Sequence, residues 1–164
     1  MARQAYTQKT NEQILLMREA CRITEEALKA VKAAIKPGVS TLELDNIADT
    51  TIRHYGAHSN FQLVDGYVHT ICSSINDEIV HGIPGPRVMN DGDVVSIDCG
   101  AIIDGWHGDA AFSIGIGKVD PEDQKLMDVC EESMWVGIAA GKMGAKLSDI
   151  GHAIEKYTNA QGKY

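Results

Sequence analysis

The 164-residue sequence has no apolar run approaching the roughly 18–20 residues that cross a bilayer. Its opening stretch, Met1-Ala2-Arg3-Gln4-Ala5-Tyr6, is polar and lacks the apolar segment of a secretory signal. A membrane location is therefore not expected, and a cytoplasmic one is. Basic clusters are missing too. Lys and Arg number 15 against 23 Asp and Glu, are scattered along the chain, and leave a net charge of −8. That argues against DNA or any other phosphate backbone as a partner, and it leaves carboxylates available as ligands. The four cysteines, Cys21, Cys72, Cys99 and Cys130, form no CxxC pair, which excludes a zinc finger or disulfide scaffold and fits reduced thiols. No repeat, low-complexity tract or linker interrupts the chain, so at this length one domain is expected.

What is present is a helix–strand–helix order. Thr10-Asn11-Glu12-Gln13 has capping-box spacing at the head of a helix over about 11–35, with Ile14, Met17, Cys21, Thr24, Leu28, Val31 and Ile35 as its stripe. Lys36-Pro37-Gly38 stops it. Ser40 and Glu43 cap a second helix over about 41–55, whose expected buried face is Leu44, Ile47, Ala48 and Thr51. His69–Ile75 reads as a strand, and Val94–Ile102 and Trp106–Ile116 as two more around a favoured Asp104-Gly105 hairpin turn. Between them, His81-Gly82-Ile83-Pro84-Gly85-Pro86 is irregular, because proline fixes φ and removes amide donors. After Gly117 the helical period returns. Asp120-Pro121 opens a helix carrying Leu126, Met127, Val129, Cys130, Met134 and Ile138, ended by Gly141. Ser148 is the expected cap of a shorter one, with Ile150, Ala153, Ile154 and Tyr157 inside. The order implies an α+β fold with helices on one face of an antiparallel sheet.

The hairpin carries the chemistry. If Ile103 faces Trp106 across the turn, Asp98 lies opposite Ala111 and Asp109 opposite Gly100. Both aspartates then share one face as diagonal neighbours, about 7–8 Å apart at the backbone. Ser96, Gly100, His107, Ala111 and Ser113 share that polar or small face. Val95, Ile97, Cys99, Ala101, Ile103, Trp106, Ala110, Phe112 and Ile114 make the opposite, core face. Two carboxylates so placed either sit solvated on a wet sheet face or are neutralised by a cation.

Three stretches taken together resemble methionine aminopeptidase of the bacterial type I form. They are Ser74-Ile75-Asn76-Asp77-Glu78-Ile79-Val80-His81-Gly82-Ile83-Pro84, Asp91-Gly92-Asp93-Val94-Val95-Ser96-Ile97-Asp98 and Asp104-Gly105-Trp106-His107-Gly108-Asp109. Lys36-Pro37-Gly38-Val39-Ser40-Thr41 and the helix after it match as well, so that the similarity runs from about residue 10 to 160. The resemblance implies the pita-bread (creatinase/aminopeptidase-like) fold, two related halves clasping two divalent ions, and removal of the initiator methionine from nascent proteins. The metal would be Co, Mn, Fe or Zn. Asp98 matches the first metal-binding aspartate, Asp109 the one that bridges both metals, and His81 the histidine that positions substrate. The N-terminal Met of nascent polypeptides is the implied partner, with the ribosome as a second; a monomer is implied for the full-length enzyme.

Two departures follow from the same comparison. In the family a further histidine and two glutamates, one of them the general acid/base, come from the second half, and the sequence to Tyr164 holds none of these motifs. It is therefore expected to be the N-terminal part of the catalytic domain, 1–164, inactive or nearly so alone. The alternative is a catalytically dead pita-bread-like binding module or a truncated gene product. The pocket for the methionine side chain also differs, with Phe61 and Val64 where the family offers cysteine and tyrosine, while Tyr67 and Cys72 match. Among the remaining candidates, His107 shares the aspartate face, and Cys99 reads as a small core hydrophobe. Asn76 and Glu78 resemble the family's monovalent-cation loop or serve plain turn chemistry. His54, His58, His69 and His152 read as structural or solvent-facing.

Overall fold

The computed structural model describes residues 7–162; the polar Met1–Tyr6 stretch lies outside them. The chain forms two compact units, the first ending at Gly117 and the second starting at Lys118. In the first unit, helix α1 (Asn11–Ala34) and helix α2 (Thr41–His54) precede the strands β1 (His58–Ser59), β2 (Ile71–Ile75), β3 (Val94–Ile103) and β4 (Trp106–Gly115). The second unit is the helix pair α3 (Pro121–Ala140) and α4 (Leu147–Gln161). None of these helices is long and apolar enough to cross a membrane.

Both expected capping boxes form. The Thr10 hydroxyl accepts the Gln13 amide at 3.2 Å while the Gln13 side chain accepts the Thr10 amide at 2.9 Å. Ser40 and Glu43 do the same, at 3.3 and 2.8 Å. Each box satisfies two amides that the first turn leaves without a carbonyl.

Strand β3 is the centre of the sheet. It pairs antiparallel with β4 along one edge and, end to end, with β2 and the two-residue β1 along the other. The β3–β4 turn has φ +50° at Asp104 and +77° at Gly105, the pair of positive values that lets a two-residue loop follow the natural strand twist. Ile103 faces Trp106 as expected, and every later pair follows from it. β1 was too short to show a period in the sequence.

Helices α1 and α2 cover one sheet face. Val95, Ile97, Cys99 and Ala101 of β3 are fully buried against Ile23, Ala27 and Val31 of α1 and Leu44, Ala48 and Ile52 of α2. The buried stripes are turned from the expected ones. On α1 they are Ala20, Ile23, Thr24, Ala27 and Val31, while Ile14 and Cys21 are exposed. On α2 they are Thr41, Leu44, Asp45, Ala48 and Ile52, with Ile47 and Thr51 only half-buried. The reason is close approach. A side-chain carbon at Gly108 of β4 would lie 2.5 Å from the carbonyl oxygen of Ala20, so α1 runs with its backbone almost on the sheet and must present small residues there. Thr24 fixes the contact: its hydroxyl donates to the Ala20 carbonyl at 3.1 Å and accepts the Ala101 amide at 3.2 Å. On β4, Ala110 shares the helix-side face but is exposed, because β4 lies at the sheet's edge.

In the second unit the same logic applies. α3 buries Val129, Ser133 and Gly137 and exposes Leu126, Cys130, Met134 and Ile138, because Gly137 admits Ile154 and Ile150 of α4 at close range. α4 turns Ile150, Ala153, Ile154 and Tyr157 inward as expected. Its cap is not Ser148. The helix starts at Leu147, and the Asp149 carboxylate takes the Lys146 amide at 2.8 Å.

Gly108→Ala is expected to destabilise the chain by about 1–3 kcal/mol, the usual range for overpacking against a backbone that cannot yield. Urea denaturation with an unchanged slope and a lowered midpoint would report it; an unchanged midpoint would show that α1 can lift off the sheet.

Candidate metal centre

Strand alternation sends every second side chain of the hairpin away from the helices. Asp98 pairs with Ala111 and Asp109 with Gly100, so the two carboxylates stand diagonally on one face. β2 adds a third strand to that face and places Cys72 directly opposite Asp98. One step along, Ser74, Ser96 and Ser113 form a row, with the Ser96 and Ser113 hydroxyls 2.7 Å apart. At Gly100 there is no room for a side chain, because Asn60 lies across it and donates to the Gly108 carbonyl at 3.2 Å. Asp98 is half-buried between these neighbours, whereas Asp109, Ala111 and Ser113 on the edge strand are exposed.

The electrostatics follow from that placement. Burial pushes the Asp98 carboxyl above the ordinary carboxylate range, and the Asp109 carboxyl, within hydrogen-bonding reach, pushes it further; the nearby His81 pulls it back. Like charges at such range are relieved by a shared proton or by a cation. Burial raises the Cys72 thiol as well, with Asp98 and Asp109 adding to the effect, and it raises the Tyr67 phenol above its usual value. Cys99, on the opposite and fully buried face, is pushed up to about 12, mainly by burial. It is the small core hydrophobe expected.

His81 reaches this neighbourhood from the irregular loop. Its φ of +60° is a conformation non-glycine residues seldom adopt. Gly82 is pressed against β2: its carbonyl accepts the Ser73 amide at 2.8 Å, its amide donates to the Ser74 hydroxyl at 3.1 Å, and a side chain there would collide with the Ser73 backbone. The loop is thereby docked to the strand that carries Cys72. Tyr67 closes the same side, donating to the Ile71 carbonyl at 2.6 Å with the Cys72 sulfur 3.3 Å away.

Of the other candidates, His107 shares the face but is exposed, paired across from Ile102. Asn76 and Glu78 are engaged in turn chemistry: Asn76 bridges Asp93 and the Val94 amide at 2.9 Å each, and Glu78 accepts the Ile75 amide at 2.7 Å. Two residues of the neighbourhood were not singled out in the sequence. Asn60 gave no signal. Asp45 did, as a charged residue falling four positions after Thr41 and three before Ala48 on a buried stripe. Among the described residues no third His, Cys, Asp or Glu joins Asp98 and Asp109 in a group able to hold a metal ion.

The sequence from residue 15 to 164 matches the model of the family described as metallopeptidase family M24. The chain belongs to this family. It is 46% identical over 149 residues to methionine aminopeptidase 1 of Bacillus subtilis, covering 91% of this chain and 60% of that protein. With methionine aminopeptidase 1 of Mycobacterium tuberculosis the identity is 45% over 159 residues, covering 96% and 60%. The crystal structure of methionine aminopeptidase from Thermotoga maritima superposes with a TM-score of 0.91 at 31% identity, over 94% of this chain and 62% of that one. A Xaa-Pro dipeptidase from Bacillus anthracis, at 24% identity and a TM-score of 0.80, shares the fold alone. The resemblance to methionine aminopeptidases and the pita-bread fold are thus borne out, and the chain spans about 60% of the length of the curated relatives it matches.

The carboxylate pair has a consequence for stability that needs no bound ion. A carboxyl held above its ordinary range favours the folded state while protonated and opposes it as pH rises through the raised value. Asp109→Asn removes one source of that opposition. In EDTA at about pH 8 it is expected to melt roughly 1–3 °C higher than the parent, the scale of a partly solvated pair. The difference should shrink as pH falls through the raised Asp98 range, because protonating Asp98 removes one of the two repelling charges. A lower melting temperature at pH 8 would contradict the repulsion.

Proposed function

We propose that the chain supplies the N-terminal part of the metal and substrate site of an aminopeptidase that removes N-terminal methionine. The observation that carries this reading is the placement of Asp98 and Asp109 on one sheet face with His81 beside them, in a chain 46% identical to a methionine aminopeptidase.

Asp98 and Asp109 would hold divalent ions, and their chemistry suits the task. Both are hard oxygen donors, and they repel one another without a counter-charge. Asp109, on the exposed edge strand, would be the donor shared between two ions, and Co, Mn, Fe or Zn all accept such ligands. When bound, the metal supplies polarisation of the scissile carbonyl and a water of lowered pKa.

The rest of the reading concerns what the side chains of this chain do. His81, held in its left-handed conformation by the docking of Gly82 on β2, would orient the substrate with a ring nitrogen. Tyr67 and Cys72 would form the wall against which the methionine side chain rests. Phe61, whose ring stands edge-on to Tyr67, would keep that neighbourhood apolar. The substrate would be the N-terminal Met of a nascent polypeptide, which makes the ribosome the natural place of encounter, with the full-length enzyme acting as a monomer in the cytoplasm.

Two carboxylates cannot complete a two-ion site, so the histidine and the two further carboxylates expected of it must come from outside the described residues. The polypeptide of residues 1–164 is accordingly expected to bind at most one equivalent of Mn²⁺ or Co²⁺ in isothermal titration. Asp98→Asn should weaken that binding by at least about tenfold, or 1.4 kcal/mol. No turnover of Met-Ala-Ser is expected. Two tightly bound ions with hydrolysis would overturn the view that the site is incomplete, and no difference between Asp98→Asn and the parent would overturn the assignment of the pair.

A further inference from the structure

β2 is an edge strand. One side pairs with β3, and no strand pairs with the other among the described residues. The amides that point outward are nevertheless all satisfied, each by a different group. Ile75 donates to the Glu78 carboxylate at 2.7 Å, and Ser73 to the Gly82 carbonyl at 2.8 Å. Ile71 donates to one oxygen of Asp45 at 3.0 Å. The same oxygen accepts the Thr70 amide at 2.7 Å, and the other lies 3.1 Å from the His69 ring nitrogen Nδ1.

Asp45 is 7% exposed and sits on the buried stripe of α2, where an apolar residue would serve packing better. A buried carboxylate is poor value for stability alone, because removing it from water is costly unless several donors compensate. What it does here is hold three consecutive residues, His69, Thr70 and Ile71, at the entry to β2. Ile71, so held at its amide, presents its carbonyl to the Tyr67 hydroxyl, and the next residue is Cys72, directly opposite Asp98. No neutral side chain of this size offers two acceptor oxygens.

We propose that Asp45 is a positioning residue for the wall of the carboxylate site, holding the start of β2 so that Tyr67 and Cys72 stand against Asp98. It acts through the backbone and touches neither of the carboxylates. The functional meaning of that wall rests on the reading of Asp98 and Asp109 as the metal pair; the positioning itself does not.

The test uses the 164-residue chain with the exposed Cys21 and Cys130 replaced by serine, leaving Cys72 near the site and Cys99 in the core as two buried thiols. Labelling with a thiol reagent under native conditions reads the two separately by peptide mass. Asp45→Ala is expected to speed Cys72 labelling by at least roughly tenfold while Cys99 stays protected, since only the strand entry opens. Asp45→Asn, which keeps one oxygen for the two amides, should stay within a few fold of the parent. Should the alanine variant not fold, Asp45→Glu, which keeps the charge and displaces it by one methylene, is expected to give the same selective rise. Unchanged Cys72 labelling in whichever of the alanine and glutamate variants folds, or Cys72 and Cys99 rising together, would overturn the proposal by reducing Asp45 to a general stabiliser. Failure of Asp98→Asn to alter Mn²⁺ binding would sink the metal reading and leave this result standing.

Discussion

The register of the β3–β4 hairpin is the constraint on which the site depends. Strand side chains alternate with a period of two, so a slip of one residue would carry Asp98 and Asp109 into the helix-covered core and bring Cys99 and Ala110 out. The turn forbids the slip. Asp104 and Gly105 both adopt positive φ, which fixes Ile103 against Trp106, and each pair thereafter is determined. The core reinforces the choice from the other side, because Val95, Ile97, Cys99 and Ala101 find full burial only in this register. A two-residue turn thus sets the geometry of the carboxylate face several residues away.

Holding like charges together has to be enforced by something other than their own preference. Here the scaffold is over-determined around them. α1 packs so close that Gly108 can have no side chain, Thr24 ties that helix to the Ala101 amide, and Asn60 lies across Gly100. β2 is pinned at its outer edge by Asp45, Gly82 and Glu78 in turn. These contacts leave little freedom for the strands to separate and relieve the repulsion. The unfavourable position of His81 in φ belongs to the same economy: the strain is borne because Gly82 is anchored on both sides to β2.

Much of this was legible in the sequence, and what escaped shares a cause. Turn chemistry and alternation yielded the hairpin, its register and the shared face of Asp98 and Asp109. Capping boxes located the starts of α1 and α2. The helix faces were read from large apolar residues, yet the structure buries Ala20, Ala27, Ser133 and Gly137, because close helix packing selects small residues and the contact partner is far away in sequence. Residue type points to Ser148 as the cap, whereas Asp149 reaches back to the Lys146 amide and the helix starts two positions earlier. The pairing of Cys72 with Asp98 depends on how β2 meets β3 across an irregular loop, and no local signal fixes that register. The match of Cys72 to a pocket position came instead from family resemblance.

Asp45 shows where a sequence reading can be extended. A charged residue in phase with a buried helical stripe is unfavourable locally, and such a conflict persists in a folded chain only where partners elsewhere resolve it. The partners here are backbone amides at a strand entry, donors that every non-proline residue carries and that no sequence pattern reveals. The conflict on α2 therefore points to a distant segment needing acceptors, and in this fold that segment is the edge of the strand facing the carboxylate pair. Asp98 and Asp109 are conspicuous because they break the strand's own preferences; Asp45 breaks the helix's, and the two exceptions meet through Ile71 and Cys72. Local inconsistencies in this chain converge on the carboxylate pair and the strand beside it, where the scaffold gives up local preference to hold Asp98 and Asp109 together.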